Sequence, residues 1–142
     1  MIKLVDFQSN DYLKLLELRN NVLRIPLGMD IRNDPLHKEA NDIHIGYFKN
    51  DKAVGTLILQ NIGNYTFKMR QVAVLKSFQG KGIGQKMVLF SEKYALERGF
   101  KQIELNARNS AVPFYEKLGY QKIEDEFLEI NIPHYKMIKK IV

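Results

Sequence analysis

Residues 79–84 form the stretch whose residue types and spacing most clearly allow chemistry. In order, they are Gln79, Gly80, Lys81, Gly82, Ile83 and Gly84. Glycine at alternate positions leaves little side-chain bulk around the backbone. Successive N–H groups can then converge at the start of the following helix, where they attract phosphate. The stretch therefore predicts a loop that holds the pyrophosphate of a large anionic ligand.

A surplus of positive charge surrounds this loop. No Asp or Glu occurs from Lys52 through Ser91, and the cations there are Lys52, Lys68, Arg70, Lys76, Lys81 and Lys86. The chain has 22 Lys and Arg against 16 Asp and Glu, so these six residues account for the whole net charge of +6. A polyphosphorylated small molecule, nucleic acid and a solvated surface without a partner are the three interpretations. The coincidence with a phosphate-type loop favours a bound anion.

Two common phosphate loops are excluded by spacing. A P-loop needs Gly-Lys-Ser/Thr at its end, whereas Gly84 is followed by Gln85 and Lys86. A dinucleotide fingerprint needs Gly-x-Gly-x-x-Gly after a parallel strand. Here the spacing is Gly-x-Gly-x-Gly, and the preceding strand is predicted to belong to an antiparallel meander.

Hydrophobic periodicity predicts the elements around the loop. The predicted strands are Ile2–Phe7, Ile43–Phe48, Ala53–Gln60, Tyr65–Leu75, Gln102–Ala107, Tyr120–Ile130 and Pro133–Ile141. Helices are predicted after a cap at Ser9 or Asn10 through Leu23, after the glycines through Tyr94, and over Val112–Leu118 with Asn109 or Ser110 as the cap. The segment Ile25–Lys38 is predicted as a loop with a short helical turn. This order predicts an α/β (α+β) fold with a mixed, largely antiparallel sheet of about seven strands flanked by helices.

Length and composition bound the class of protein. The 142 residues predict a single domain spanning residues 1–142. The absence of cysteine excludes disulfides, thiolate metal sites and a cysteine nucleophile, and we expect no metal. The charged start of the chain and the lack of a long apolar run predict a cytoplasmic protein without a membrane segment.

Two motifs in the expected order resemble the GNAT superfamily of acyl-CoA N-acyltransferases. Residues 79–84 match the family motif Gln/Arg-x-x-Gly-x-Gly/Ala, and Val72-Ala73-Val74 precede it on the strand. The run Phe114–Tyr120 is similar to the family's second signature, and the predicted element order resembles the family fold along nearly the whole chain. Leu23–Gly28 and Ile132–Met137 further resemble one uncharacterised bacterial branch.

The resemblance implies acetyl-CoA as co-substrate and assigns its contacts. Gln79, Gly80, Lys81, Gly82, Ile83 and Gly84 would surround the pyrophosphate, mainly through backbone N–H groups. Val72 and Val74 would pair their backbone with the pantetheine arm as an added strand does, although plain strand core explains their side chains. Asn106 and Asn109 look like further pantetheine contacts, and Asn109 also suits a helix cap.

The same resemblance implies direct attack by an amine in a ternary complex. Tyr115 matches the family tyrosine that protonates the departing thiolate, with anchoring of a short helix as the alternative role. No carboxylate occurs between Asp51 and Glu92, so the strand before the loop offers no general base. His134 is the leading candidate for the base, because histidine exchanges protons near neutrality, although a structural or solvent-facing His134 is the alternative. Weaker candidates are Glu129, Glu39 and His44; an ordered water, or an acceptor that arrives neutral, would make a side-chain base unnecessary.

These features predict an N-acetyltransferase that uses acetyl-CoA to acetylate a primary amine, either a small molecule or a peptide. Arg19 and Arg24 fall where the family builds its acceptor site and are candidates to bind a carboxylate of the acceptor, with surface solubility as the alternative. A non-catalytic acyl-CoA binder is the alternative function. A nucleic-acid module is the third class, suggested by charge alone and lacking a binding motif, and a homodimer is compatible with the sequence.

Overall fold

Eight strands form one mixed sheet in the computed structural model, which describes residues 1–142. The strands are β1 (Ile2–Val5), β2 (Ile43–Lys49), β3 (Lys52–Gly63), β4 (Thr66–Val74), β5 (Gln102–Arg108), β6 (Gln121–Lys122), β7 (Phe127–Glu129) and β8 (Ile132–Lys140). Their order across the sheet is β1-β2-β3-β4-β5-β8-β6, and β7 also pairs with β8. Every pairing is antiparallel except β4 with β5. The predicted fold class, a mixed and largely antiparallel sheet flanked by helices, is confirmed.

Helices cover both faces of the sheet. They are α1 (Asn10–Arg19), α2 (Ile83–Glu97) and α3 (Val112–Lys117). Neighbouring residues of β2 contact different helices: Ile45 belongs to the apolar cluster under α2, while a Cβ on Gly46 would lie 2.9 Å from Leu15 of α1. The larger cluster lies under α2 and includes Met87, Leu105 and Met137. No helix of the chain combines the length and apolar character that crossing a membrane requires.

The first predicted helix extends to its predicted end at Leu23, but its last turn is π-helical and not α-helical. The Ser9 hydroxyl accepts a hydrogen bond from the N–H of Tyr12 at 3.1 Å, so the predicted cap is confirmed. The α-helix ends at Arg19 and continues as a π-helical turn before Pro26, which has no N–H to extend a helix. The following segment contains three short 3-10 turns, at Ile25–Leu27, Ile31–Asn33 and Leu36–Glu39.

The predicted strand Tyr120–Ile130 is wrong in extent. It is divided into β6 and β7, which pair with different parts of β8. The residues between them include three consecutive exposed acids, Glu124, Asp125 and Glu126. Acidic residues are disfavoured in strands, which explains the interruption. The sheet consequently has eight strands where seven were predicted.

The parallel strands β4 and β5 separate along their length, and this separation positions the site. They pair only from Thr66 to Met69 on β4 and from Gln102 to Leu105 on β5. Beyond these residues β4 continues to Val74 and β5 to Arg108 without pairing. The two strand ends therefore line a cleft in the middle of the sheet.

Candidate active site

A β-bulge in β4 marks the point where the cleft opens. Ala73 pairs with Thr56 and Arg70 with Ile58, so β4 has one residue more than β3 across this interval. Gln71 has a φ of 55°, in the left-handed region. An extra residue shifts the strand alternation by one. As a result Val72 and Val74 pack toward the α2 side, as Phe67 and Met69 do before the bulge.

Two adjoining cavities occupy the cleft. One, of about 520 Å³, lies beside the start of α2 and is bordered by Val72, Val74, Gly80, Gly82, Gly84 and Phe114. The other, of about 530 Å³, lies between the separated strands and is bordered by Arg70, Asn106, Arg108, Glu129 and His134. Gln79, Val72, Ala111 and Tyr115 line both cavities. The two spaces therefore meet at Tyr115, and a ligand extending from the α2 end would reach the space between the strands.

The start of α2 provides unsatisfied backbone donors. No side chain caps this helix, and the first intrahelical acceptor, the carbonyl of Gly82, bonds to the N–H of Lys86. The N–H groups of the first turn consequently face outward with the positive end of the helix dipole. Gly80 and Gly82 have φ values of 77° and 81°, which favour glycine, and a Cβ on either would meet no atom within 4 Å. This open, uncapped helix start fits a pyrophosphate.

The side chain of Gln79 fixes the end of β4. Its Nε2 donates to the carbonyl of Val74 at 2.9 Å. The N–H of Leu75 bonds to the carbonyl of Val54, so in antiparallel alternation the polar backbone groups of Val74 point away from β3, toward the cleft. With its carbonyl bonded to Gln79, Val74 has its N–H as the backbone group to offer a ligand. Val72 and Val74 both border the cavity at the helix start, and their contact with a pantetheine arm stays a prediction.

Tyr115 lies where the two cavities meet. Its side chain is 7% exposed, packs edge-on against Phe114 and Tyr120, and makes no hydrogen bond within the chain. Burial raises the pKa of the Tyr115 phenol to about 12. The hydroxyl is therefore protonated at neutral pH and is available to donate a hydrogen bond to a ligand.

His134 and Glu129 form a pair on the opposite wall of the cleft. The carbonyl of Ile132 accepts a hydrogen bond from His134 Nδ1 at 2.7 Å, and His134 Nε2 lies 3.4 Å from Glu129 Oε2. Asn106 Nδ2 donates to the other oxygen of Glu129 at 3.3 Å. Because a carbonyl only accepts, Nδ1 carries the proton, and the Nε2 of a neutral ring presents its lone pair. The sequence named all three residues, but it did not predict this contact between them.

Two predicted ligand contacts fall outside the cavity at the α2 start. Asn106 lines the space between the strands and bonds to Glu129. Asn109 is exposed and begins a 3-10 turn, while Ala111 precedes α3 without a side-chain hydrogen bond. The predicted capping of α3 by Asn109 or Ser110 is therefore wrong. Lys81 Nζ lies 5.3 Å from the ring centroid of Phe78, beside the glycine loop.

The two arginines that were candidates to bind the acceptor are paired within the protein. Arg19 is 1% exposed and donates to both oxygens of Glu39, at 2.9 and 2.7 Å. Arg24 borders the cleft but donates to both oxygens of Asp34, at 3.1 and 2.8 Å. The prediction that Arg19 binds an acceptor carboxylate is wrong, because its guanidinium cannot be reached.

Two weaker candidates for the base belong to the same buried network. Glu39 also accepts from the hydroxyl of Tyr12 at 3.2 Å, and its carbonyl contacts His44 Nε2 at 2.9 Å. Neither Glu39 nor His44 lines either cavity of the cleft. We therefore assign Glu39 and His44 a structural role in this buried network. No group of three or more His, Asp or Glu side chains is arranged to hold a metal ion.

The β4 bulge is the feature that sequence reasoning missed. A signal was present, because the apolar alternation of Phe67 and Met69 resumes at Val72 and Val74 with one extra residue between. Such a slip of the period-two pattern indicates a bulge. The bulge also places Gln71 in the cleft, where its Oε1 is buried without a hydrogen-bond partner.

Comparison with known proteins identifies the family. The family described as Acetyltransferase (GNAT) domain matches residues 30–141. YjcF of Bacillus subtilis strain 168, named as an N-acetyltransferase, is 35% identical over 114 residues, which cover 76% of this chain and 81% of YjcF. Another Bacillus subtilis protein, named as an acetyltransferase, is 34% identical over 107 residues, 75% of this chain and 71% of its own length. The chain therefore belongs to the GNAT acetyltransferase family, and the predicted enzyme class, an acyl-CoA-dependent acetyltransferase, is confirmed.

Solved structures share the fold. An N-acetyltransferase from Lactobacillus plantarum superposes with a TM-score of 0.87 at 23% identity, covering 99% of each chain. An aminoglycoside 6'-N-acetyltransferase in complex with coenzyme A superposes with a TM-score of 0.81 at 20% identity, covering 100% of this chain and 97% of that one. At such identities the likeness establishes the fold alone.

Proposed function

We propose that this protein transfers an acetyl group from acetyl-CoA to a primary amine by direct attack within a ternary complex. The observation that supports this proposal most strongly is the continuity of the cleft. It begins at the uncapped start of α2, passes Tyr115, and opens between β4 and β5. An extended thioester and an amine can meet at Tyr115 in such a cleft. Acetyl-CoA would supply the thioester carbonyl carbon that the amine nitrogen attacks.

The α2 start and the end of β4 hold the co-substrate in this proposal. The N–H groups of Ile83, Gly84 and Gln85 bind the pyrophosphate, and the backbone of Val72 and Val74 binds the pantetheine arm. The N–H of Val74 points into the cleft and stabilises negative charge on the carbonyl oxygen of the thioester. The hydrogen bond from Gln79 to the Val74 carbonyl keeps this peptide in place.

Tyr115 stabilises the departing thiolate. A phenol with a pKa near 12 is a much weaker acid than a thiol, whose pKa is about 8.5, so complete transfer of its proton to a thiolate is uphill. We therefore assign Tyr115 the role of a hydrogen-bond donor to the developing thiolate. The proton that the thiolate finally takes then comes from the amine.

An ammonium acceptor loses two protons as it becomes the amide: the thiolate takes one, and His134 accepts the other. Because Nδ1 carries a proton and donates it to the Ile132 carbonyl, Nε2 is the basic atom of the neutral ring. Glu129, 3.4 Å from Nε2, stabilises the imidazolium that forms, and Asn106 orients Glu129. This arrangement supplies a base from β8 where β4 has none.

Replacing Tyr115 by Phe tests the role of its hydroxyl. We expect kcat to fall about a hundredfold while acetyl-CoA affinity stays nearly unchanged, because the ring still packs against Phe114 and Tyr120. Loss of thioester absorbance with a panel of primary amines measures turnover, and calorimetric titration measures affinity. Tyr65→Phe is the matched control, since Tyr65 is 63% exposed. An undiminished kcat in Tyr115→Phe would remove the hydroxyl from the mechanism.

Replacing His134 by Gln tests the base. We expect kcat/KM to fall about a hundredfold at pH 7 and the defect to shrink at about pH 10, where a primary amine arrives largely neutral. His37→Gln, in an exposed 3-10 turn, is the matched control. The same loss at both pH values would indicate that His134 acts through structure and that the base lies elsewhere.

A non-catalytic acyl-CoA binder is the alternative function, favoured by the missing carboxylate on β4. It predicts that acetyl-CoA binds tightly, that no amine is acetylated, and that His134→Gln leaves the affinity for acetyl-CoA unchanged. The cytoplasmic location and a homodimer remain predictions that these experiments do not test.

A further inference from the structure

A third cavity adjoins the space between the strands on the side away from α2. It measures about 290 Å³, and its lining includes Lys68, Arg70, Gln71, Asn106 and Glu129. Seven of its nine lining residues also line the larger cavity that contains His134, so the two spaces are continuous. A group attached to an acceptor amine would therefore extend into this third cavity.

Two cations in this cavity have no partner within the chain. Lys68 and Arg70 are half-buried on β4, and neither makes an ion pair or a side-chain hydrogen bond. The carboxylate opposite Lys68, that of Glu104, lies 3.7 Å from Lys136 instead. The positive charge of Arg70 acts at a distance on Asp42, where it opposes the rise in pKa that burial causes. Asp42 makes no ion pair with Arg70 and does not line the cavity. Unpaired, partly desolvated cations favour an anionic ligand group.

The anion that these cations bind is not the pyrophosphate of the co-substrate. Lys68 is six residues before Val74 on β4, which corresponds to roughly 20 Å of strand. The glycine loop lies further along the chain, beyond Val74. Lys68 and Arg70 therefore lie toward the end of the cleft that is away from the glycine loop.

The same cavity also offers oxygen atoms for an ammonium or amine group. Glu129 is the carboxylate on its wall, and the buried Gln71 Oε1 has no hydrogen-bond donor. Building on the acetyltransferase function proposed above, we infer that the acceptor is an amine that carries an anionic group, a carboxylate or a phosphate, on the same molecule. Lys68 and Arg70 bind the anion, and the amine lies toward Glu129 and His134.

Matched pairs of amines test this inference. Glycine, β-alanine and γ-aminobutyrate are each compared with their amides, and O-phosphoethanolamine is compared with ethanolamine. We expect kcat/KM to be about tenfold or more higher for the charged member of at least one pair, as for a charge-assisted hydrogen bond. Discrimination in the carboxylate pairs alone identifies a carboxylate, and discrimination in the phosphate pair alone identifies a phosphate. Equal kcat/KM for both members of every pair overturns the inference and leaves the acetyltransferase function standing.

Variants connect the preference to the two cations. Lys68→Gln and Arg70→Gln should each lower kcat/KM for the charged member about tenfold and leave that for the neutral member nearly unchanged. Lys68→Arg and Arg70→Lys keep the charge and should keep most of the preference. Lys93→Gln, exposed on α2 and outside the cavities, is the control. A preference that survives both neutral substitutions overturns the assignment.

The two levels of proposal fail in different ways. If acetyl-CoA binds and no amine is acetylated, the proposed function is wrong. The anion site is then decided by calorimetric titration of the same pairs into the coenzyme A complex. Tighter binding of a charged member, lost in Lys68→Gln, supports the site, and equal or absent binding of both members overturns it.

Discussion

Replacing Glu39 by Gln perturbs the most deeply buried ion pair of the molecule. The Arg19 side chain is 1% exposed and that of Glu39 is 6% exposed, and two hydrogen bonds join them. Glu39→Gln keeps an oxygen that can accept from Tyr12, but it leaves the Arg19 guanidinium charged and buried without a counterion. Breaking one side of a buried pair costs about 3–5 kcal/mol.

This loss is large for a single domain, whose free energy of unfolding is typically about 5–15 kcal/mol. The unfolding entropy is about 2.1 cal/mol/K per residue, so for 142 residues the expected fall in Tm is about 10–17 °C. Adding Arg19→Met to Glu39→Gln removes the uncompensated charge. We expect the double variant to recover at least half of the lost stability, because a buried pair contributes little beyond what apolar packing would.

Thermal and urea unfolding followed by circular dichroism measure these changes. Arg32→Met is the control: the Arg32 side chain is 84% exposed in its pair with Asp30, and such surface pairs contribute up to about 1 kcal/mol. A cost below about 1 kcal/mol for Glu39→Gln, or a double variant as unstable as the sum of its parts, would refute this account of the pair. A raised KM for the acceptor in the folded double variant would restore Arg19 as a binding residue.

Two further predictions concern the glycine loop and a half-buried acid. Gly82→Ala should lower the free energy of unfolding by about 1–2 kcal/mol and weaken acetyl-CoA binding, because φ is 81° at this position. Gly84→Ala should preserve both stability and binding, because its Cβ would lie in ordinary contact, 3.4 Å from the Phe114 ring. Thermal melting and calorimetric titration measure the two variants, and equal effects would contradict the role of φ. Burial raises the pKa of Asp42 from its ordinary value of 3.8, because the charged carboxylate is poorly solvated in the folded protein. The protonated form therefore favours folding at low pH, and this contribution to the free energy of unfolding is lost as pH rises through the folded-state pKa. Asp42→Asn should therefore stabilise the protein against urea at pH 7 but not at pH 3. The control Asp125→Asn should change stability at neither pH. A gain in stability at pH 3 alone would mean that folding lowers the pKa of Asp42.

Local patterns were sufficient to predict the elements that carry the proposed co-substrate site. The alternate glycines at 80 and 82 adopt positive φ, and the helix predicted after them begins at Ile83. The meander preceding the loop follows from period-two alternation and short turns. These features depend on residues close in sequence, so the pattern contains the information.

Side-chain contacts between residues that are distant in sequence could not be predicted from these local patterns. Arg19 and Glu39 are 20 residues apart and meet only because the loop between them folds back over α1. The sequence therefore presented Arg19 as a free cation near the acceptor. The contact between His134 and Glu129 likewise depends on the hairpin of β7 and β8, which forms after the acidic interruption that split the predicted strand.

The distribution of charge across the cleft gives a physical reason for a base outside β4. A carboxylate beside Lys68 and Arg70 would pair with those cations, and the neighbouring positive charges would lower its pKa and weaken it as a base. Glu129 and His134 stand on the opposite wall, where the carboxylate stabilises the imidazolium that proton transfer creates. In the proposed enzyme, β4 can then bind the anionic part of the acceptor while β7 and β8 accept the proton of its amine. The absence of acids from β4 is thus compatible with an enzyme whose cleft is divided between a cationic wall and a basic wall.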